Sequence, residues 1–198
     1  MTSVVVATAL FCGAYAVIGQ SYLAREFLVV FLGNEISLAV LLAGWLVGVA
    51  AGARAARLSF LTRYSATYLV VACLAAWVAL FPATLVAVRA SRPLFGVPPG
   101  EWASLLVVSL AALLFAGTFS SFGGFLFVTL CRLFESCRGA GNTVGIVYVA
   151  EACGSVAGGV LFTFALAGRV AGLTLSFGAY VPMGLLCAAI AAGSARGR

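Results

Sequence analysis

Long apolar runs separated by short polar segments occupy the whole chain. A run of about 18 apolar residues is long enough to cross the hydrocarbon core of a bilayer as a helix. The pattern predicts six membrane spans, near residues 4 to 24 (with a continuation as far as 32), 36 to 53, 66 to 88, 103 to 131, 143 to 167 and 170 to 193. The expected fold class is therefore all-α, a polytopic membrane helix bundle forming one integral membrane domain over residues 1–198.

Composition supports this interpretation, because 64% of the residues are hydrophobic and only 8% are charged, with a mean hydropathy of +1.20. Soluble domains are closer to half apolar and about one quarter charged. Six spans joined by short loops leave no segment long enough for a soluble domain. The first apolar run lacks a basic start and a small-residue cleavage site, so we interpret it as span 1 and not as a removable signal peptide.

The positions of the charged residues indicate how the chain is oriented in the membrane. The net charge of +6 comes from eleven arginines and five glutamates, most of which lie between the apolar runs. Because basic residues are retained on the cytoplasmic side during insertion, the side with more arginines is predicted to be cytoplasmic. Seven arginines (Arg54, Arg57, Arg63, Arg132, Arg138, Arg196, Arg198) lie on the side of the termini, and four (Arg25, Arg89, Arg92, Arg169) lie on the other. Both termini are therefore expected in the cytoplasm, and nucleic acid is not an expected partner.

Several kinds of chemistry are excluded by the absence of histidine. Haem attachment through CxxCH, imidazole ligation of a metal and catalysis by a histidine base all require that side chain. The six cysteines form no CxxC motif and are expected mostly as small buried apolar residues. Cys131 and Cys137 are the only two for which pairing or metal binding is an alternative. We expect no cofactor, no metal site and no catalytic residue.

Two halves of the chain share a pattern. The segments FCGAYAVIG (11–19) and FAGTFSSFG (115–123) are identical at three positions and share an aromatic residue at a fourth, and two GxxxG pairs follow them, Gly48 with Gly52 and Gly154 with Gly158. This predicts two inverted three-helix repeats, residues 1–100 and 101–198, an arrangement common among transporters. Glycine is abundant, so coincidence is the alternative explanation. Either way, the GxxxG pairs are expected at helix contacts, where small residues let backbones approach.

Glu151 is the most informative residue of the predicted spans. It lies about eight residues into span 5, roughly 12 Å from the helix end by helical rise. A carboxylate at that depth should face the bundle interior and be protonated, hydrogen-bonded or paired with an arginine, for which Arg132 and Arg54 are the candidates. A packing role and a ligand site are both open. The segment AGTFSSFGGF in span 4 is expected to be kinked or locally unwound.

Further candidate polar residues surround the end of span 1. Gln20, Tyr22, Arg25 and Glu26 are expected to form one cluster, with Arg25 and Glu26 as an intramembrane or interfacial pair. Span 1 is expected to continue as helix through EFLVVF and to end in a tight turn at Gly33 and Asn34. The remaining candidates for a functional role are Asn34, Glu35 and Tyr148.

Two stretches, REFLVVFLGNEISLAVLLAGWLVGVAAGA and GIVYVAEACGSVAGGVLFTFAL, resemble the membrane region of spermidine synthase-like proteins of bacteria. The elements that carry the resemblance are Arg25-Glu26, Gly33-Asn34-Glu35, Trp45, Tyr148, Glu151, Gly154, Ser155, Gly158 and Gly159. The resemblance implies a multi-pass protein of the bacterial inner membrane. That family also has a soluble Rossmann-like aminopropyltransferase domain, which this sequence does not contain, so the transferase activity is not expected and the chain is not expected to be an enzyme.

Two hypotheses of function remain open. In the first, the chain is a non-enzymatic membrane subunit that anchors or scaffolds other protein subunits or a separately encoded soluble domain, with membrane lipids as its other partners. In the second, it carries a small molecule or ion through a site near Glu151, which predicts an accessible polar cavity around that carboxylate. An intramembrane enzyme would need a nucleophile or a metal site, and the sequence contains no recognisable motif for one.

Overall fold

The computed structural model describes residues 1–33, 35–58, 61–98, 100–138 and 141–195. In these ranges the chain is helical with no strand, and six helical segments are long and apolar enough to cross a membrane. The expected all-α, multi-pass membrane fold is confirmed, and each predicted span corresponds to one of these segments. Asn34, Arg196 and Arg198 lie outside the described residues.

The spans have the following bounds, and the same numbers are kept below. Spans 1, 2 and 3 are the helices Thr2–Val30, Glu35–Ala55 and Ala66–Arg89. Span 4, Leu105–Arg138, joins the α-helices Leu105–Ala111 and Thr118–Arg138 through a π-helical turn, Ala112–Gly117. Span 5 is the α-helix Thr143–Leu161 followed by a π-helical turn, Phe162–Leu166, and span 6 consists of Gly172–Gly178 and Tyr180–Ala195. Short helical turns at Leu61–Arg63 and Ser91–Leu94 lie in the connections.

The irregular part of span 4 lies before most of the segment in which it was expected. The Gly- and Ser-containing segment from Thr118 onward is regular α-helix, and the wide turn precedes it. The hydroxyl groups here are satisfied locally or by a neighbour, since Ser121 Oγ donates to the carbonyl of Thr118 and Ser120 Oγ donates to that of Trp45, at 2.7 and 2.8 Å. The small residues of this segment therefore serve contact with span 2, and they do not unwind the helix.

Helices pair across the two halves of the sequence: span 1 packs mainly on span 5, and span 2 packs mainly on span 4. A Cβ atom added at Gly154 or Gly158 would overlap the backbone of Leu10 or Ala14 in span 1. In the same way, a Cβ atom at Gly48 or Gly52 would overlap the backbone of span 4 at Gly117 or Ser121. In both pairs residue numbers increase in the same direction, so the paired helices run parallel, and all four GxxxG glycines lie at close helix contacts.

Span 3 packs on spans 1, 4 and 6, and its aromatic rings meet those of spans 1 and 4. Trp77 is fully buried, with its ring 5.0 Å from that of Tyr15 at 85° and 5.5 Å from that of Phe119. Phe81 also lies against Phe119, at 5.3 Å between ring centroids. Edge-to-face aromatic contacts of this kind stabilise a core beyond the area they bury. Span 6 is the least buried span and lies at the periphery.

The two ends of the bundle differ in polar structure. Met1 lies against Gly193, so the start of span 1 and the end of span 6 meet at one end. At the opposite end, Arg92 donates from Nη1 to the carbonyl of Val30 at 2.8 Å and from Nη2 to those of Pro98 and Glu101 at 2.6 and 2.8 Å. One guanidinium group therefore ties the long connection between spans 3 and 4 to the end of span 1.

Candidate functional site

Glu151 projects from span 5 at the level where that helix packs most closely on span 1. A Cβ atom at Gly13 would overlap the backbone carbonyl of Glu151, so the two helix backbones are in direct contact there. The glutamate side chain is half-buried. Within the described ranges, its carboxylate has no hydrogen-bond or ion-pair partner, and the expected pairing with Arg132 or Arg54 is not among the contacts of Glu151.

The carboxylate borders a cavity of about 390 Å³ between spans 1, 2, 3, 4 and 5. Among the described residues, Glu151 is the only charged one that lines it. Its other polar lining residues are Gln20, Ser120, Tyr148 and Ser155, and four aromatic residues line it, namely Trp45, Trp77, Tyr148 and Phe127. A largely apolar cavity of this size with a few convergent polar groups has the form of a small-molecule site. We call it the Glu151 cavity.

Two of the polar side chains fix the walls of the cavity. Ser155 Oγ donates to the carbonyl of Gly13 at 3.4 Å, joining span 5 to span 1, while Ser120 Oγ joins span 4 to the carbonyl of Trp45 in span 2. With their hydroxyl protons engaged in these contacts, both serines position helices. Gln20, Tyr148 and Glu151 are left as the polar groups that line the cavity without such a structural bond among the described residues.

Trp77 contributes a second unusual feature. Its side chain is fully buried and lines the Glu151 cavity, and its Nε1 has no hydrogen-bond partner among the described residues. The hydroxyl of Tyr15, whose ring contacts that of Trp77, is also buried without a partner in that part of the chain. Most buried N–H and O–H groups in proteins have a hydrogen-bond partner, so these two neighbouring groups, of which only Trp77 lines the cavity, are unusual.

The expected polar cluster at the end of span 1 is divided between two cavities. Tyr22, Arg25 and Glu26 line a separate cavity of about 470 Å³ together with Arg89 and Arg169, whereas Gln20 lines the Glu151 cavity. Glu26 accepts two hydrogen bonds from Arg89, one from Nε at 2.8 Å, and it does not pair with Arg25 as expected. Consecutive helix residues point in different directions, which separates the Arg25 and Glu26 side chains.

The remaining candidates are distributed as follows. Tyr22 donates its hydroxyl to the carbonyl of Val170 at 2.8 Å, fastening span 1 to the connection before span 6. Glu35 is exposed at the start of span 2, away from the Glu151 cavity, and Tyr148 lines that cavity. All six cysteines, Cys131 and Cys137 included, are free thiols, and no cluster of metal-ligating side chains occurs among the described residues.

Trp77 and Phe127 are aromatic lining residues that were not predicted from the sequence. Tryptophan is usually enriched at membrane interfaces. Trp77 instead lies in the middle of span 3, and that position was the available signal. Arg89 and Arg169 were also not predicted as site residues, because they were assigned to loops by hydropathy alone.

Comparisons with known protein families, with curated proteins and with solved structures found no match for this chain.

Proposed function

We propose that the protein is a membrane carrier that binds a small molecule or ion in the Glu151 cavity during its passage. The observation that carries the proposal is the carboxylate itself, which lines an intramembrane cavity and has no protein partner among the described residues. An ionisable side chain inside a membrane span is costly, and such residues usually mark a substrate or ion pathway.

The place of the cavity in the predicted repeats gives further support. If Gly13 is aligned with Gly117 and Gly48 with Gly154, eight of the fourteen lining residues form four equivalent pairs: Ala16 with Ser120, Gln20 with Gly124, Trp45 with Glu151, and Val49 with Ser155. Transporters built from inverted repeats place their substrate sites at the interface between the repeats, near the middle of the bilayer. A cavity lined by equivalent positions of both halves fits that design.

The proposal is tested by reconstituting the protein in liposomes, incubating them with a metabolite extract and measuring retained compounds by mass spectrometry. We expect the original protein to accumulate at least one compound that Glu151→Gln liposomes do not. Glu35→Gln is the matched control, since Glu35 is exposed and distant from the cavity, and it should behave as the original protein. Equal retention by all three proteins and by empty liposomes would refute the carrier function.

A second candidate function, the membrane subunit, is favoured by the surface of span 6. Gly184, Ala188 and Ala192 recur at four-residue intervals on its exposed side, and nothing lies within 4 Å of the position of a Cβ at Gly184. Small residues at this spacing let a second membrane helix approach closely. In this proposal the chain anchors other subunits or a separately encoded soluble domain, as the resemblance to spermidine synthase-like proteins suggests.

Purification in mild detergent followed by mass spectrometry separates the two functions. The subunit function would be supported by a stoichiometric partner that co-purifies with the Leu185→Ala protein but not with the Gly184→Leu protein. Recovery of the chain alone, as a monomer or a homodimer, would remove that support and leave the carrier. For either function we propose the bacterial inner membrane as the location, with both termini in the cytoplasm, because the arginine distribution favours that orientation.

A further inference from the structure

We propose that the Glu151 cavity selects an organic cation, an ammonium group attached to an apolar body. This inference rests on the proposed carrier function and names the substrate class. Within the described part of the chain, Glu151 is the only charged residue that lines the cavity, and no arginine borders it. A ligand that balances the single negative charge in a medium of low dielectric constant is favoured over a neutral or anionic one.

The lining suits an organic cation better than a metal ion. Ca²⁺ takes six to eight oxygen ligands, and Mg²⁺ is held by one or two carboxylates together with retained waters and substrate phosphates. Among the described residues, Glu151 and Gln20 are the only lining residues with a carboxylate or amide side-chain oxygen, and no group of three His, Cys, Asp or Glu side chains could hold a metal ion. An ammonium group attached to carbon needs fewer polar partners, because its apolar part contacts the walls.

The walls of the cavity are rich in aromatic rings. Trp45, Trp77, Phe127 and Tyr148 come from four different spans and border the same cavity as the carboxylate. The faces of aromatic rings attract cations, tryptophan most strongly, and aromatic boxes are a recurrent means of binding quaternary ammonium groups.

The cavity volume of about 390 Å³ sets the size of the ligand. It lies near the lower end of the range found for small-molecule sites. A compound with one ammonium group and one aromatic ring or short aliphatic chain is therefore the appropriate probe. Benzyltrimethylammonium meets this description, and its charge does not change with pH.

In the experiment, the purified protein is titrated in mild detergent and binding is measured by calorimetry. The probes are benzyltrimethylammonium, benzyl alcohol, benzoate and sodium ion, each tested separately. We expect benzyltrimethylammonium to bind at least about tenfold more tightly than benzyl alcohol or benzoate, and Glu151→Gln to remove most of that preference. Tyr148→Leu should weaken binding of the cation several-fold, whereas Tyr148→Phe, which keeps the ring, should leave it nearly unchanged.

The exposed Tyr148 ring makes these two variants a test that does not depend on core packing. Equal weakening by Tyr148→Phe and Tyr148→Leu would overturn the aromatic contribution. Tighter binding of benzyl alcohol or benzoate, abolished by Glu151→Gln, would overturn the cation inference and leave the carrier proposal in place. Binding of sodium alone would also overturn it. Binding of no probe would overturn the inference, and the metabolite-retention experiment would then decide the carrier proposal separately.

Discussion

At Gly154 and Gly158 the absence of a side chain lets span 5 contact the backbone of span 1, and Gly48 and Gly52 do the same between spans 2 and 4. In lipid, association of helices depends on van der Waals packing and on polar contacts, because the surrounding hydrocarbon is as apolar as the helices. Each of these glycines therefore determines how closely its two helices approach each other. The glycines on the exposed side of span 6 have no such contact in the monomer.

Substituting alanine at a contact glycine should destabilise the bundle. At Gly154 a methyl group would overlap the carbonyl of Leu10, so we expect Gly154→Ala to lower the free energy of unfolding by about 1–3 kcal/mol. Gly184→Ala is the matched control, since that position is open and alanine is the better helix former. Thermal unfolding in detergent measures both, and a Gly154→Ala protein as stable as Gly184→Ala would contradict the close packing described here.

The sequence predicted individual residues unevenly. The depth of Glu151 could be read from its distance to the helix end, and the close packing at the four GxxxG glycines followed from their spacing. The partner of Glu26 could not be predicted, because Arg89 is 63 positions away and only the packing of span 3 on span 1 brings the two together. Trp77 was missed for the same reason, since its neighbours lie on other spans.

At the scale of elements, the two π-helical turns distinguish spans 4 and 5 from the regular helices. A π-helical turn contains one more residue than the α-helical turn that it replaces. Such turns occur frequently at functional sites. Ala112–Gly117 lies where span 2 makes its contacts through Gly44 and Gly48. The extra residue is accommodated in the turn, so the α-helical segments before and after it both keep their buried faces toward the bundle.

Deletion of one residue should therefore have opposite results at two positions of span 4. Removing Leu114, an exposed residue of the π-helical turn, should convert the turn to α-helix and leave the flanking faces in register, with a small change in melting temperature. Removing Val128 from the regular helix should rotate one flank by about 100° relative to the other and unfold the bundle. Circular dichroism and melting in detergent compare the two variants; equal loss of structure would argue against this account of the turn.

At the scale of the whole molecule, the number of spans and the fold class were predictable because membrane-spanning length is a direct property of the apolar runs. The helix pairing was not predictable. Hydrocarbon and protein interior are equally apolar, so a residue such as Leu46, exposed on span 2, cannot be told by polarity from Leu41, buried on the same helix. The predicted repeats match spans 1, 2 and 3 with spans 4, 5 and 6. The contacts of span 1 with span 5 and of span 2 with span 4 agree with that matching but do not test it.

The orientation predicted from the arginine count can be tested on the intact molecule. Cys137 is exposed at the end of span 4 that shares a cavity with Met1, and Trp102 is exposed at the opposite end. In a variant whose other five cysteines are alanine, we expect a membrane-impermeant maleimide to label Cys137 only after the cells are opened. A Trp102→Cys protein that also lacks Cys137 should be labelled in intact spheroplasts. The reverse pattern would place the termini outside the cytoplasm.

The crossed pairing of helices has a consequence for biosynthesis. Spans 1 and 2 leave the ribosome well before spans 5 and 4, which are the helices they pack against most extensively. The nascent N-terminal half must therefore remain in the bilayer with its glycine faces covered only by lipid or by the insertion machinery. Assembly is completed after span 5 has been inserted, and a chain truncated after span 3 would present its unpaired glycine surfaces to cellular quality control.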